Sequence, residues 1–269
     1  VVCGLIILGS LGFGTLRSLW ATVLLSWQNS REPSSLFSRR RLREQLPLSP
    51  RLILTTTSIL LIGGTFVYGT LESVGVQGDA TFGTRVADAW FQSVTFRTAG
   101  FNTVDHGELN PATKLFSIGL MFIGASPGST GGGVKTVALA IVVLALIAIL
   151  RGRNQVECYG RMIPEKQVRY AFVIIAMGLT ATMTSTLLLT VFEADSFSFL
   201  DILYEATSAF ATVGASTGIT GELTPASQLV VAATMFLGRV GPLTLLIALA
   251  GTSQTTSQYQ YPQERVSLG

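Results

Sequence analysis

Five apolar stretches, each long enough to cross a lipid bilayer, dominate this sequence of 269 residues. A bilayer core requires about 20 consecutive apolar residues per helix, and the stretches cover roughly residues 1–26, 52–72, 114–150, 168–192 and 226–250. Only 12% of the residues are charged, whereas a soluble domain carries about 25%. So little charge argues against a soluble globular enzyme, and the apolar content excludes disorder. The sequence therefore predicts an all-α integral membrane protein.

The third stretch is too long for one straight crossing, and a run rich in glycine interrupts it. Proline and glycine both disfavour a helix interior. Irregular backbone at membrane depth persists only against protein or beside a watery cavity. We therefore expect this run, called the glycine-rich loop below, to be functional. It comprises Ser126, Pro127, Gly128, Ser129, Thr130, Gly131, Gly132 and Gly133.

Basic residues predict the orientation in the membrane, because cytoplasmic connections carry an excess of Lys and Arg. The connections at 31–51 and 151–169 are rich in both and are expected in the cytoplasm. A nucleic-acid patch at Arg39–Arg41 is disfavoured because this run lies next to a span. The connections at 73–113 and 193–225 are expected outside. Their acidic residues either concentrate cations or reflect ordinary polar loop composition.

An internal repeat appears when the sequence is shifted by 114 residues. Residues 96–124 then align without a gap with residues 210–238, with 13 identities in 29 positions. Both copies run in the same membrane direction, which predicts parallel repeats. Residues 8–12 also resemble residues 237–241. The chain is therefore expected to begin inside the last helix of an earlier repeat and to be part of a longer protein.

Each repeat contains a short amphipathic segment that ends at a Thr-x-Gly sequence, at 86–96 and at 199–210. These segments are too short to cross and are predicted to be re-entrant helices. The chain that returns from them exposes backbone carbonyls, which can replace the hydration shell of a cation. Two tight turns at helix ends are the alternative. The candidate ion-binding residues of the two Thr-x-Gly loops are Thr98, Ala99, Gly100, Phe101, Thr212, Val213, Gly214 and Ala215.

These motifs resemble the Trk/Ktr/HKT family of cation transporters, most closely its TrkH/KtrB branch. Residues 94–102 (VTFRTAGFN) resemble the third pore loop, and residues 122–136 resemble the broken helix after it. Residues 210–218 (FATVGASTG) resemble the fourth pore loop, and residues 235–244 resemble the final helix. The resemblance implies four helix–pore loop–helix repeats around one central pore. This chain would then contain the end of the second repeat with its basic connection, the third repeat, the fourth repeat and a cytoplasmic tail, at 1–51, 52–151, 152–251 and 252–269.

The same resemblance implies potassium uptake across the plasma membrane, with K⁺ held by backbone carbonyls only and Gly100 and Gly214 in the selectivity filter. The glycine-rich loop and Arg239 would form the gate. The sequence departs from the family's pattern at two positions of this broken helix. Ala125 stands where Gly is expected, and Gly131 stands where Ala is expected. The resemblance further implies a homodimer, a cytosolic nucleotide-binding regulatory ring, and neither a catalytic residue nor an organic cofactor. Whether the transported ion is sodium stays open. In the plant branch of the family, sodium transport goes with a serine in place of the glycine in the first repeat, and this chain does not contain that repeat.

Three basic residues near these motifs have physical interpretations of their own. Arg239 lies near the centre of a span, where an ionisable side chain is costly and usually functional. It is expected to bond carbonyls of the glycine-rich loop or to repel cations, rather than to snorkel to an interface. Lys135 is expected to be solvated on the cytoplasmic side of the break. Arg97 is expected either to pair with an outer carboxylate or to act as an interfacial anchor.

Other functions are weaker alternatives. Residues 124–128 fit the GxSxG nucleophile pattern, which would make Ser126 the nucleophile of an intramembrane hydrolase. Its base would be His106, the single histidine, which is predicted at the outer surface. Residues 128–136 do not have phosphate-loop spacing. Cys3 and Cys158 indicate neither a disulfide framework nor a zinc site. A structural subunit without transport activity remains a third alternative.

Overall fold

The computed structural model of the chain describes residues 1–29, 47–72, 81–153, 155–193 and 196–241. The basic run at 39–41, the end of the last predicted span and the predicted tail at 252–269 lie outside these residues. Within them the chain is almost entirely helical. The helices are α1 Val2–Ser10, α2 Phe13–Asn29, α3 Leu48–Glu72, α4 Phe82–Thr95, α5 Pro111–Phe122, α6 Thr136–Leu150, α7 Glu165–Phe192, α8 Phe199–Ala211 and α9 Pro225–Val240.

Two small elements add to the helices. A 3₁₀ helix covers Ile219–Glu222. An antiparallel hairpin of strands β1 Glu157–Cys158 and β2 Arg161–Met162 lies in the connection between α6 and α7. The hairpin is the one departure from the predicted all-α class among the described residues, and it is too short to alter that class.

Among the described residues, helices α3 and α7 are each long and apolar enough to cross a membrane. The predicted first span at 1–26 is broken in two, because α1 and the Phe13–Leu24 part of α2 meet at an angle of 101°, and the pair is long and apolar enough to cross only if it is taken as one bent span. Gly12 adopts a φ of 77° at this bend, and the Phe13 amide donates to the Gly128 carbonyl at 3.2 Å. The bend therefore frees backbone groups that bond the glycine-rich loop.

The break between α5 and α6 lies where the sequence predicts it. The chain leaves α5, forms the glycine-rich loop and returns beside itself, so that Ile123 and Val134 form a parallel bridge. The Gly124 amide donates to the Val134 carbonyl at 2.9 Å, and the Val134 amide donates to the Phe122 carbonyl at 3.3 Å. These bonds satisfy backbone groups that would otherwise be costly at membrane depth.

Helices α5 and α9 begin with the same local chemistry. Asn110 and Thr224 are N-caps whose side chains accept a backbone N–H, and each is followed by a proline at the first helical position. Both choices are favourable at a helix start. The amide of each cap residue also donates to a buried glutamate at the end of the preceding long helix, Glu72 for Asn110 and Glu193 for Thr224.

The short helices α4 and α8 lie inside the bundle. Helix α4 packs on α3 and α1, and α8 packs among α5, α7 and α9. Between them lies an apolar core that contains Tyr68, Phe96, Met121 and Tyr204. A second core joins Phe210 to α6 and α7. Because α4 and α8 end at the Thr-x-Gly sequences, this packing brings the two loops together.

Candidate functional site

The two Thr-x-Gly loops share one unusual backbone conformation. Thr98 and Gly100 have φ values of 70° and 72°, and Thr212 and Gly214 have values of 52° and 84°. Positive φ is uncommon for a residue with a side chain, so its recurrence at both threonines is notable. In a strand successive carbonyls point to opposite sides. A left-handed residue at every second position turns successive carbonyls towards the same side instead.

The two loops also lie against each other. A Cβ atom on Gly100 would lie 2.5 Å from the Val213 carbonyl oxygen and 3.2 Å from the Gly214 Cα atom. No side chain fits at Gly100 without moving the second loop. The first loop is held from behind by Thr95, whose Oγ1 donates to the Phe101 carbonyl at 2.7 Å and accepts from the Phe101 amide at 2.9 Å.

The glycine-rich loop lies directly against both threonines. The Gly132 amide donates to Thr212 Oγ1 at 2.9 Å. A Cβ atom on Gly131 would lie 2.9 Å from Thr98 Cγ2 and 2.7 Å from the Ala125 Cβ atom. Gly131 therefore faces Ala125, and a Cβ atom there would also meet Thr98 Oγ1.

Two cations bond carbonyls of the glycine-rich loop. Arg239, in the last turn of α9, donates from Nη1 to the Thr130 carbonyl. Lys135 donates from Nζ to the adjacent Gly131 carbonyl and is close enough to be affected by the charge of Arg239. The expectation that Lys135 is solvated is therefore wrong. Its side chain folds back four residues because the loop reverses direction just before α6.

The opposite side of the loop contacts the bend between α1 and α2. The Ser126 amide donates to the Ser10 carbonyl at 3.0 Å. The fully buried Ser126 Oγ lies 3.3 Å from its donor, Thr136 Oγ1. Ser126 therefore has no histidine partner, and the hydrolase alternative fails on geometry.

His106 is fully buried, so its predicted place at the outer surface is wrong. Its Nε2 lies 3.1 Å from Gln92 Oε1, and its Nδ1 lies 2.9 Å from the Tyr204 hydroxyl. Since Gln92 Oε1 only accepts, the proton is on Nε2 and the tyrosine donates to Nδ1. Burial lowers the pKa of His106 to about 4, which keeps this imidazole neutral. It joins α4 to α8.

Arg97 forms neither of the contacts expected of it. Its side chain is 2% exposed, which excludes an interfacial anchor, and Nη2 donates to Thr57 Oγ1 of α3 at 3.5 Å. Nε and Nη1 have no hydrogen-bond partner among the described residues. The cause is the end of α4, which turns the side chain inward along α3 rather than outward to a carboxylate.

Several buried carboxylates were not singled out by the sequence analysis. Glu205 of α8 is 4% exposed. Its Oε1 accepts from the hydroxyls of Ser216 and Thr220 and from the amide of Thr217. Burial raises the pKa of Glu205 above its usual range, and these hydrogen bonds oppose the shift. The available signal was an acidic residue within a short, largely apolar helix.

Ion pairing also links the two halves of the site. Lys114 of α5 donates to Asp201 of α8 at 2.8 Å and to the Gly107 carbonyl at 2.9 Å. Glu193, at the end of α7, accepts from Thr224, and hydrogen bonds from Ser227 and Thr224 hold its pKa below the usual range. The first contact joins α5 to α8, and the second joins the end of α7 to the N-cap of α9.

Known proteins resemble this chain over its whole length. Residues 1–259 match the profile of the family described as TrkH, cation transport protein. The potassium/sodium uptake protein NtpJ of Enterococcus hirae is 33% identical over 275 residues, which cover 100% of this chain and 56% of that protein. The Ktr system potassium uptake protein B of Bacillus subtilis is 33% identical over 272 residues, which cover 100% and 56%.

A solved structure shares the fold. The crystal structure of the potassium transporter TrkH from Vibrio parahaemolyticus superposes with a TM-score of 0.65 at 16% identity, covering 92% of this chain and 50% of that chain. The chain thus spans about half the length of the proteins it matches.

Proposed function

Because the chain belongs to the TrkH family of cation transport proteins, we propose that it forms part of a pore for potassium uptake across the plasma membrane. The family transports cations and is not a family of enzymes. In this proposal residues 52–151 and 152–251 are two helix–pore loop–helix repeats. The helices α4 and α8 are the re-entrant pore helices, and residues 1–51 end a preceding repeat.

The observation that carries the proposal is the paired backbone conformation of the two Thr-x-Gly loops, which lie in contact. Carbonyls of Thr98, Ala99, Gly100, Thr212, Val213 and Gly214 line the filter and replace the water around K⁺. Phe101 and Ala215 end the lining segments. Two loops form half of the filter, and the other loops come from residues outside this chain.

The glycine-rich loop is the gate in this proposal. It lies next to Thr98 and Thr212, at the end of the filter nearest the α1–α2 bend. Arg239 and Lys135 hold it there through the Thr130 and Gly131 carbonyls. Their charges also oppose the passage of a cation while the loop is in place.

Sodium transport, or transport of both ions, is the second candidate, and the name of the Enterococcus hirae relative favours it. In the same proposal the basic connections at 31–51 and 151–169 face the cytoplasm. There they contact a nucleotide-binding regulatory ring, and the pore protein is a homodimer. The word "system" in the names of the Ktr relatives supports a partner subunit.

Complementation tests the pore and the filter together. The full-length gene that encodes this chain is expressed in a bacterium lacking potassium uptake, and uptake of K⁺ and Na⁺ is measured with Gly100→Ala and Gly119→Ala variants. A Cβ atom at Gly100 meets the Val213 carbonyl, whereas one at Gly119 meets nothing. We expect K⁺ uptake by wild type and by Gly119→Ala, and loss of about tenfold or more for Gly100→Ala.

Membrane levels of each variant are measured as the control for folding. Equal uptake by Gly100→Ala and wild type would overturn the filter assignment. Uptake of Na⁺ but not K⁺ by wild type would replace potassium with sodium as the transported ion. Absence of cation uptake by wild type, at normal membrane levels and with its regulator present, would favour the structural subunit.

A further inference from the structure

The segment that follows the second Thr-x-Gly loop wraps around one buried carboxylate. Glu205 Oε1 accepts from Ser216 Oγ, from the Thr217 amide at 3.2 Å and from Thr220 Oγ1 at 3.0 Å. A single residue, Ala215, separates this ring of donors from Gly214. The carboxylate therefore holds the chain immediately beside the proposed ion-binding carbonyls. We call residues 216–220 and Glu205 the carboxylate ring.

A further hydrogen bond lies within the carboxylate ring, because Ser216 Oγ accepts from the Gly218 amide at 2.9 Å. Ser216 Oγ also lies 2.7 Å from Thr220 Oγ1, but each hydroxyl has one proton, which it donates to Glu205. Hydrogen bonds to a charged acceptor are roughly twice as strong as neutral ones. Loss of the charge would leave three donors facing a weaker acceptor on a side chain that is itself only 4% exposed. The ring thus couples the position of the loop to the ionised state of one side chain.

The first repeat fixes the corresponding positions without a charge. Thr103 and His106 correspond to Thr217 and Thr220 at the shift of 114 residues. Thr103 Oγ1 accepts from Gln92 Nε2 at 3.3 Å, and His106 bonds Gln92 Oε1. In each repeat, residues at the same two loop positions therefore form hydrogen bonds with the pore helix of that repeat. A neutral amide holds the first loop, and a carboxylate holds the second.

We propose that Glu205 is a positioning residue for the selectivity filter, which sets cation discrimination by holding residues 216–220 against α8. The inference rests on the proposed function of the two loops as a filter. Selectivity requires carbonyls at fixed positions and in fixed number, and the carboxylate ring is the contact that restrains the second loop next to Gly214. Glu205 does not touch the ion and acts through the backbone of the loop.

A purely electrostatic role makes a different prediction, and Glu222 provides the matched control. Glu222 is an exposed carboxylate that lies just after the ring in the chain, at the end of the 3₁₀ helix. If the negative charge alone attracts cations, then Glu205→Gln and Glu222→Gln both raise KM for K⁺, and Ser216→Ala, which keeps the charge, has no effect. If Glu205 positions the loop, then Glu205→Gln and Ser216→Ala change selectivity and Glu222→Gln does not.

The experiment measures K⁺ uptake, and its inhibition by Na⁺ and Cs⁺, for the full-length protein in potassium-uptake-deficient cells. We expect Glu205→Gln and Ser216→Ala each to reduce discrimination between K⁺ and Na⁺ by about tenfold, the equivalent of one charge-assisted hydrogen bond. The double variant should lose little more than either single one, because both remove the same contact. Glu205→Asp should retain part of the discrimination.

A second readout does not depend on transport. Ions that bind the folded protein stabilise it, so K⁺ should raise the unfolding temperature of the detergent-solubilised wild type more than Na⁺ does, and this difference should shrink in Glu205→Gln. If Glu205→Gln reaches normal membrane levels and discriminates between K⁺ and Na⁺ as well as wild type does, the positioning role is overturned and the proposed function is not. Absence of cation uptake and of a K⁺-specific shift in wild type would instead overturn the proposed function.

Discussion

A neutral, fully buried imidazole joins the two short helices. His106 donates to Gln92 of α4 and accepts from Tyr204 of α8. Protonation would place an unpaired charge in this contact and would replace the acceptor at Nδ1 with a second donor. The folded protein therefore disfavours the imidazolium, in agreement with a pKa of about 4.

This burial predicts that stability falls in mild acid. The unfolded chain protonates His106 near pH 6.5, whereas the folded protein keeps it neutral down to about pH 4. Between these values the unfolded state binds more protons, so the free energy of unfolding decreases as pH falls from 6.5 towards 4. We expect a lower unfolding temperature in detergent at pH 5 than at pH 7.5. The decrease should be smaller in His106→Gln, and an equal decrease would contradict the assignment.

A second residue-scale contact concerns Gly131, which faces Ala125 and Thr98. Gly131→Ala should lower membrane levels and the unfolding temperature, because its Cβ atom would overlap both Thr98 and the Ala125 Cβ atom. The double change Ala125→Gly/Gly131→Ala removes the overlap with Ala125 and leaves the one with Thr98. It should therefore recover only part of the loss. A double variant no better than the single one would show that the two positions do not compensate.

At the scale of elements, the glycine-rich loop is held from three directions. The α1–α2 bend bonds it on one side, the threonines of the two Thr-x-Gly loops lie on another, and Arg239 and Lys135 bond its carbonyls. These polar contacts can be broken one at a time by substitution.

Removal of one such contact should open the proposed gate. Arg239→Gln loses the charged donor to the Thr130 carbonyl and a positive charge near the path. We expect faster K⁺ uptake by the full-length protein in the absence of regulatory partners, by about tenfold for a charged hydrogen bond. Arg169→Gln removes an exposed ion pair with Glu165 and serves as the control. Unchanged or slower uptake by Arg239→Gln would count against a holding role.

At the scale of the whole molecule, α8 joins the two sequence repeats. It packs on α5, α7 and α9, its Tyr204 reaches His106, and its Asp201 forms an ion pair with Lys114. These contacts connect the two sequence repeats around their loops. The two repeats therefore form one packed unit rather than two independent ones.

The Lys114–Asp201 pair should stabilise that unit. Its side chains are only 10% and 20% exposed, and removing one partner of a largely buried pair costs about 3 kcal/mol. Lys114→Met should lower the unfolding temperature in detergent by several degrees. Adding Asp201→Asn should restore part of it, because the unpaired carboxylate is then neutral. Wild-type stability of Lys114→Met would show that the pair contributes little.

The sequence by itself determined the class of fold and the break between α5 and α6, but not the bend between α1 and α2. Apolar stretches of membrane length indicated α3 and α7. The Pro- and Gly-rich run located the break between α5 and α6. Each of these depends on residues close together in the chain, where periodicity and backbone preference decide the outcome.

Only the tertiary structure decided which of these residues meet. Gly100 faces Val213, and Gly132 bonds Thr212, across more than seventy residues of chain. The burial of His106, the inward turn of Arg97 and the ring around Glu205 likewise depend on how α3, α4, α5 and α8 pack. Charge and polarity suggested a solvated place for His106 and an outer or interfacial one for Arg97. Packing buried both instead. His106 lies between Gln92 and Tyr204, and Arg97 lies against Thr57, so contacts between residues distant in sequence decide both positions.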